Sequence, residues 1–284
     1  MASVTPLRRI EHSARERLIE RLTEIARREQ PLSCCLRVNV KQEHTLSAVN
    51  FDAPVLVILI QGHKRIRTSE GWLAFNAGEG FLVPESMALD IENNPDPVSG
   101  WYSAIGVQLA ESVLGAARQL LLEPVTDTAR PLASVGLDEH VDDLMAWLDA
   151  LERGDLPRAR YVMTGVVLRL YAQGHRGLLY PSAPTLSVRI RTMVTADPRR
   201  DWSSADLEST LAVSGATLRR HLAAEGRNLR EVIAEARLSH GLTLLLSTDL
   251  PVKSVAARVG YTSVSAFIKR FRERYGVEPS RVGV

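Results

Sequence analysis

The chain has 284 residues, of which 45% are hydrophobic and 24% charged, and its formal net charge is +2. This composition is close to that of soluble globular proteins and excludes a largely disordered chain, while the length favours two domains. The longest apolar run, residues 54–60, is too short to cross a bilayer, and the N-terminal segment lacks the apolar stretch of a signal peptide. We therefore expect a cytoplasmic protein with no membrane partner.

Charge is unevenly distributed along the chain. Residues 186–284 carry 16 Lys and Arg against 10 Asp and Glu, a net charge of +6, whereas residues 1–185 carry 19 against 23, a net charge of −4. A basic C-terminal third on an acidic body favours a partner that is a polyanion.

The first half of the chain changes from a helical to a strand-like pattern. Residues 10–29 have apolar side chains at helical spacing among charged ones, which predicts an amphipathic helix that Pro31 ends. Residues 33–109 instead form short alternating or continuously apolar runs separated by turn signals about every 8–12 residues. This pattern predicts an antiparallel β-sandwich or barrel.

Two amphipathic helices are predicted next, over residues 137–152 and 156–173. Their apolar faces have two interpretations: both pack on the β-domain, or they pair two chains as a dimerisation hairpin. Residues 174–185 contain two Gly and two Pro and indicate a linker. We therefore predict an N-terminal domain over 1–177, a linker over 178–185 and an all-helical domain over 186–284.

The helical domain repeats one layout twice. Residues 203–226 and 250–276 each predict a helix, a short turn and a second helix, which is the helix-turn-helix arrangement. A helix that reads DNA needs small or polar residues to approach base edges, and Arg or Lys to reach guanine or phosphate. The alternative for each helix is a basic face that is merely solvated. The outward candidates are Ala216, Thr217, Arg219 and Arg220 in the first unit, and Val264, Ser265, Ile268, Lys269 and Arg272 in the second.

A predicted helix over residues 228–248 joins the two units. At 1.5 Å per residue it would be about 30 Å long. One turn of B-DNA is about 34–36 Å, so a rigid helix of this length could place two recognition helices in successive major grooves. Gly241 within it is a mild cost to that rigidity.

The C-terminal third carries a pattern made of Leu207, Ser214, Leu218, Arg219, Leu222, Gly226, Ala236, Arg237, Leu238, Val255, Ala256, Gly260, Ala266, Phe267, Phe271, Gly276 and Pro279. This pattern resembles the DNA-binding domain of AraC/XylS-type transcription regulators. It departs from the family pattern where Lys269 replaces the usual Arg and where Val282 replaces a Tyr. The resemblance implies that each copy binds two adjacent major grooves of double-stranded DNA, with phosphate contacts near Ser203, Thr262 and Ser263. It also implies transcription activation more often than repression, with RNA polymerase as a possible partner.

The β-rich region, above all residues 54–86, resembles the cupin-like regulatory domain of the same family, which is followed by dimerisation helices. The fold class is therefore expected to be α+β multidomain: a cupin-like antiparallel β-barrel, a helical dimerisation hairpin and a double helix-turn-helix domain. The resemblance implies a homodimer and a small-molecule effector. Candidate effector-binding residues are Trp72, Trp101, His63 and Arg65.

Two alternatives to an effector-controlled regulator remain. One is a regulator without an effector, tuned by oligomerisation or by the chemistry of the adjacent thiols Cys34 and Cys35. The other is a cupin-type enzyme, but the barrel region has only His44 and His63 and no His-x-His pair. We therefore expect no metal site, no cofactor and no enzymatic activity.

Overall fold

The computed structural model describes residues 13–28, 32, 34–121, 132–180 and 183–282. Within these residues no helix is both long and apolar enough to span a membrane. The strands are β1 (Cys35–Val40), β2 (His44–Phe51), β3 (Val55–Gln61), β4 (His63–Thr68), β5 (Gly71–Asn76), β6 (Gly80–Val83), β7 (Met87–Asn94), β8 (Tyr102–Gln108) and β9 (Ala133–Val135). The helices are α1 (Ala14–Arg27), α2 (Glu111–Leu120), α3 (Val141–Glu152), α4 (Leu156–Ala172), α5 (Leu186–Ala196), α6 (Ser204–Leu211), α7 (Gly215–Ala224), α8 (Leu229–Ser247), α9 (Val252–Arg258) and α10 (Val264–Tyr275).

The strands form two antiparallel sheets that face each other. The order is β1-β8-β3-β6-β9 in the first sheet, called sheet A here, and β2-β7-β4-β5 in the second, called sheet B. Strand β4 alternates exposed and buried residues because one of its faces meets solvent, whereas β3 is buried on both faces. The predicted antiparallel barrel is present.

Helices α1 to α4 cover the outer face of sheet A. The predicted helix over 10–29 is described from Ala14, where Ser13 and Glu16 form a capping box, to Arg27; its predicted ends at residues 10–12 and 29 lie outside the described chain. The predicted helix over 137–152 is a 3-10 turn, Leu137–His140, followed by α3. The apolar faces of α3 and α4 are buried in one core with α1, α2 and sheet A. Helix α2 was not predicted.

The C-terminal helices divide between two cores. Helices α5, α6, α7 and the first half of α8 bury their own cluster, which contains Ile190, Leu207 and Leu218. The second half of α8, together with α9 and α10, packs in one hydrophobic cluster with the side chains that lie between the two sheets. Leu242 and Phe271 therefore belong to the same core as the residues inside the barrel.

The chain between α4 and α5 is partly packed. A 3-10 turn, Arg176–Leu179, buries Leu178 and Leu179 in the core outside sheet A, and Arg118 donates from Nη1 to the Leu179 carbonyl at 2.9 Å. Helix α5 begins at Leu186 with Thr185 as its N-cap. The domain limits at 177 and 186 stay a prediction.

Candidate DNA-binding surface

The first helix-turn-helix unit consists of α6 and α7. Ser203 and Asp206 cap α6 reciprocally, and the Ser203 hydrogen bonds hold the pKa of the Asp206 carboxyl at about 2. Helix α6 ends at Ala212, whose φ of 54° lies in the left-handed region. Two residues later, Ser214 begins α7 by accepting a hydrogen bond from the Thr217 amide at 3.2 Å. The predicted turn over 212–214 is therefore present.

The second unit consists of α9 and α10, and five residues separate these helices, against three in the first unit. Gly260 takes the left-handed conformation with φ of 83°, and Ser263, three residues on, caps α10 by accepting from the Ala266 amide at 3.3 Å. A Cβ atom at Gly260 would lie 2.5 Å from the carbonyl oxygen of Pro198, so this position requires glycine for space as well as for φ. The turn thus packs against the end of α5.

Helix α8 runs from its N-cap Asn228 through 19 residues to Ser247 and joins the units. Gly241 lies within this unbroken helix, and a Cβ atom there would lie 3.0 Å from the Phe267 ring of α10. The glycine is therefore a close-approach position between α8 and the second recognition helix. Val282, one of the two departures from the family pattern, is fully buried in the core that α10 shares.

The predicted contact residues of α7 lie on its outer side. Ala216, Arg219 and Arg220 are exposed, and Thr217 is half-buried. Within the described parts of the chain, neither Arg219 nor Arg220 has a carboxylate within 4 Å.

The predicted residues of α10 divide into two sets. Ser265, Lys269 and Arg272 are exposed, as are Thr262 and Ser263 at the start of the helix. Lys269 lies 3.9 Å from Glu273, and Arg272 lies 3.0 Å from Glu278, both at the surface where such pairs are weak. Val264 and Ile268 are half-buried and pack against the shared core, so only part of each side chain is available to a base.

A groove between the two units was missed by sequence reasoning. It has a volume of about 570 Å³ and is bordered by Arg230 and Arg237 of α8 and by Thr262, Ser263 and Arg270 of the second unit. Arg237 is held in place by donating to the carbonyls of Pro198 and Arg200, both at 3.0 Å. The sequence feature that indicates this groove is the pair of basic residues Arg230 and Arg237 in the first half of α8. The sequence analysis treats that helix only as the connection between the two units. The groove offers additional positive charge beside α10.

The four candidate effector residues do not meet around one cavity. Arg65 and Trp72 are exposed neighbours on β4 and β5, with the guanidinium carbon 4.9 Å from the ring, and Arg65 also pairs with Glu92 at 3.1 Å. His63 is exposed at the start of β4. Trp101 immediately precedes β8 of sheet A, and Lys41 lies 4.7 Å from its ring.

The basic residue of β4 that does point inward is Lys64. It is 4% exposed, and its Nζ donates to Oδ1 of Asn93 at 2.6 Å. Asn93 in turn is 3.1 Å from Nε2 of His44. Burial lowers the pKa of Lys64 to about 7 and also lowers the pKa of His44. The interior of the barrel therefore holds a polar chain of three side chains rather than an open apolar pocket at this point.

The two cysteines differ in environment. Cys34 is exposed and has a φ of 63°, whereas Cys35 begins β1 and is buried. Burial raises the pKa of the Cys34 thiol, and it raises the pKa of Cys35 to about 12. Neither environment favours the thiolate that redox sensing requires. Among the residues that the structure describes, no group of three His, Cys, Asp or Glu side chains could hold a metal ion.

Comparison with known proteins finds relatives of the C-terminal part of the chain. Residues 207–283 match the family described as "Helix-turn-helix domain". The chain is 35% identical over 99 residues to the HTH-type transcriptional activator FapR of Escherichia coli. The aligned region is 35% of this chain and 38% of that protein. Over 103 residues it is 32% identical to the HTH-type transcriptional regulator GadX of E. coli O6:H1, covering 36% and 38%. The chain thus matches little more than a third of the length of these relatives.

The whole fold also has a solved counterpart. The crystal structure of unsaturated fatty acid bound wild-type ToxT from Vibrio cholerae aligns with 89% of this chain and 95% of that chain, at a TM-score of 0.61 and 16% identity. This likeness confirms the predicted architecture, a cupin-like antiparallel β-domain followed by a double helix-turn-helix domain. The C-terminal part of the chain is a helix-turn-helix domain over residues 207–283. A helix-turn-helix match in this part of the chain is what the resemblance to AraC/XylS-type regulators predicts.

Proposed function

We propose that the protein is a sequence-specific transcription regulator that reads two successive major grooves of double-stranded DNA. The observation that carries the proposal is the pair of capped helices, α7 and α10, joined by α8. Both present exposed basic residues, and α8, with 19 residues, is about 28 Å long. That length is close to one turn of B-DNA.

Individual roles within this surface follow from position. Arg219, Arg220 and Lys269 project from the recognition helices and would contact base edges or phosphates. Thr262 and Ser263 stand at the N-terminus of α10, where free amides favour a phosphate oxygen. Because Lys has one point charge, Lys269 would make a single contact where an Arg could bind guanine through two hydrogen bonds. Arg230 and Arg270, in the groove beside α10, would add sequence-independent attraction to the DNA backbone.

The N-terminal domain would control this reading in the cytoplasm. FapR and VirF are named as activators, which favours activation through contact with RNA polymerase. The fatty acid in the ToxT structure favours a small-molecule effector for a domain of this fold. Exposed Leu156 and Tyr161 on α4 are compatible with a homodimer through the helical hairpin. The named relatives are regulators, which argues against an enzyme.

A regulator without an effector is a second candidate. It is favoured by the buried side chains Lys64, Phe75, Phe81 and Tyr102, which occupy the space between the two sheets. Phe75 and Phe81 lie with their ring centroids 4.7 Å apart. Under this alternative, oligomerisation would set DNA occupancy.

The test is a selection of genomic DNA fragments with the purified full-length protein at moderate salt. We expect enrichment of one sequence with two elements about 10 base pairs apart. The affinity should fall steeply as salt is raised, because phosphate contacts release counterions. If no fragment is enriched, the basic faces of α7 and α10 are solvated surface and the proposal is wrong.

A further inference from the structure

A cavity of about 240 Å³ lies on the helical side of sheet A, between the end of β8 and helices α2, α3 and α4. Val107 of β8 borders it, and this side chain belongs to the core outside the sheet rather than to the barrel interior. On α4 the bordering residues Leu156, Ala159 and Met163 recur at helical spacing, so one face of the helix forms a wall. The small side chain of Ala159, between two larger ones, leaves the space unfilled.

The interior of this cavity is apolar and uncharged. Trp147 and Leu151 of α3 are 2% and 8% exposed, and Met163 of α4 is 3% exposed. Among the described residues that line the cavity, Arg160 is the charged one, and it is exposed to solvent. A charged ligand would lose its hydration in the interior without gaining an opposite charge there. The lining therefore favours a neutral molecule.

Trp147 brings an unused hydrogen-bond donor to the wall. Although the side chain is buried, its Nε1 has no hydrogen-bond partner among the residues that the structure describes. The Nε1 of Trp202, by contrast, donates to the carbonyl of Asp197 at 2.9 Å. A buried indole N–H usually has an acceptor, and a ligand with an acceptor atom would supply one here.

The volume of the cavity sets the size of the ligand. A cavity of about 150 Å³ lined by aliphatic and aromatic side chains stays dry and binds benzene. At about 240 Å³, the present cavity has room for a larger molecule, of the size of two fused aromatic rings.

We propose that this cavity binds a neutral, apolar molecule of that size, which carries a hydrogen-bond acceptor for the N–H group of Trp147. The ligand would contact α2, α3 and α4 together and hold the pair α3 and α4 against sheet A. The site lies outside the helix-turn-helix units, so its ligand goes beyond the proposed function and does not depend on it.

The first test compares three fused-ring probes on the full-length protein, at matched concentrations below the solubility of naphthalene. Quinoline is uncharged at neutral pH and carries one acceptor nitrogen, naphthalene has the same shape without an acceptor, and 2-naphthoate adds a negative charge. We expect quinoline and naphthalene each to raise the melting temperature by about 1 °C or more, and 2-naphthoate to raise it less. If neither neutral probe binds, or if 2-naphthoate binds as tightly as they do, the proposal is wrong.

Cys34 reports where the probe binds. It is an exposed thiol in the lining of the cavity, whereas Cys35 is buried and burial raises its thiol pKa to about 12. Iodoacetamide should therefore alkylate Cys34, and saturating quinoline should slow this reaction by about threefold or more. Cys34→Ser measures the background from Cys35. An unchanged alkylation rate at saturation would mean that quinoline binds elsewhere, against the proposal.

Three alanine-to-methionine variants test the space itself. Ala159→Met fills the cavity, Ala150→Met adds the same volume at a buried position of the same core outside the lining, and Ala172→Met changes an exposed position of α4. We expect Ala159→Met to weaken quinoline binding by about tenfold or more at a wild-type melting temperature, and Ala150→Met to lower the melting temperature by about 3 °C or more. Ala172→Met should change neither. Equal losses of melting temperature in the two buried variants, or quinoline binding kept in Ala159→Met, would contradict the site.

Trp147→Phe tests the hydrogen bond, with naphthalene as the control for the altered shape of the wall. The variant should weaken quinoline binding relative to naphthalene binding by about threefold or more, because only quinoline accepts from the N–H group. An equal change for both probes would show that the Trp147 N–H does not pair with the ligand.

Discussion

Arg191 of α5 donates two hydrogen bonds to Oδ1 of Asp52, from Nε at 3.0 Å and from Nη2 at 2.5 Å, across 139 positions of sequence. Asp52 lies between β2 and β3, so this pair joins the barrel to the helical domain. Arg191 is also 3.7 Å from Glu235, which is 6% exposed and contacts Arg274 of α10 at 2.5 Å. Arg274 donates in turn to the carbonyl of Ala48 in β2 at 2.9 Å.

Asp52→Asn should lower the free energy of unfolding by about 1–3 kcal/mol, because it weakens charged hydrogen bonds to a buried guanidinium. Urea unfolding followed by circular dichroism measures this loss. Asp138→Asn is the control, since Asp138 is 71% exposed and only 3.7 Å from Arg15. The control should change stability by less than about 0.5 kcal/mol. Equal effects would show that the Arg191–Asp52 contact does not contribute in solution.

Arg220→Ala and Lys269→Ala should each weaken binding to the selected DNA by about 1–3 kcal/mol if these side chains reach bases. Fluorescence anisotropy with labelled DNA measures the affinity at fixed salt. Arg153→Ala is a matched control, because Arg153 is exposed at the end of α3, outside the helix-turn-helix units. Wild-type affinity in both test variants would refute the contact assignment.

The two turns predict opposite responses to exchange of Ala and Gly. Ala212→Gly should stabilise the protein by about 0.5–1 kcal/mol, since glycine adopts positive φ without strain. Gly260→Ala should destabilise it by more than about 2 kcal/mol, because a Cβ atom there meets the Pro198 carbonyl oxygen as well as an unfavourable φ. Thermal and urea unfolding compare both variants with Ala223→Gly, an exposed position within α7 that should lose about 1 kcal/mol. A loss of stability in Ala212→Gly would contradict the strain at that turn.

Stability should rise with pH above neutrality because of Lys64. Burial lowers its pKa to about 7 in the folded protein, so between about pH 7 and 10.4 only the unfolded chain holds the extra proton. The free energy of unfolding should therefore gain up to about 1.4 kcal/mol per pH unit from this residue, and lose it as pH falls. Urea unfolding at about pH 7.5 and 9 measures the slope.

Lys64→Met should remove that slope, whereas Lys253→Met, an exposed control on α9, should keep it. The same slope in wild type and in Lys64→Met would mean that Lys64 is protonated in the folded state throughout this range.

Local patterns were enough to predict the C-terminal units. Ser214 and Ser263 as N-caps, Gly260 in a turn and Phe267 and Phe271 at helical spacing are signals that neighbouring residues determine. The inward position of Lys64 could also have been found, because Ile66 two residues later is buried on the same face of β4.

Other features depend on contacts between distant segments. Nothing near Asp52 or Arg191 in the sequence indicates that they pair. A cavity of about 630 Å³ is likewise formed where Arg37 of β1 meets the ends of α1 and α8. Helix α2 was missed because only Val113, Leu114 and Ala117 mark its buried face, in a segment that we left unassigned after the last strand.

The core shared by the barrel and the second helix-turn-helix unit has a consequence for cooperativity. Phe271 and Tyr275 of α10 are buried with Val40 and Leu46 of the barrel, whereas α7 is packed in a separate core. Hydrogen exchange of α10 amides should therefore follow that of β2, and α7 should open independently. We therefore expect the cooperative units to cross the boundary that the sequence suggests, with α10 unfolding together with the barrel and α7 unfolding separately.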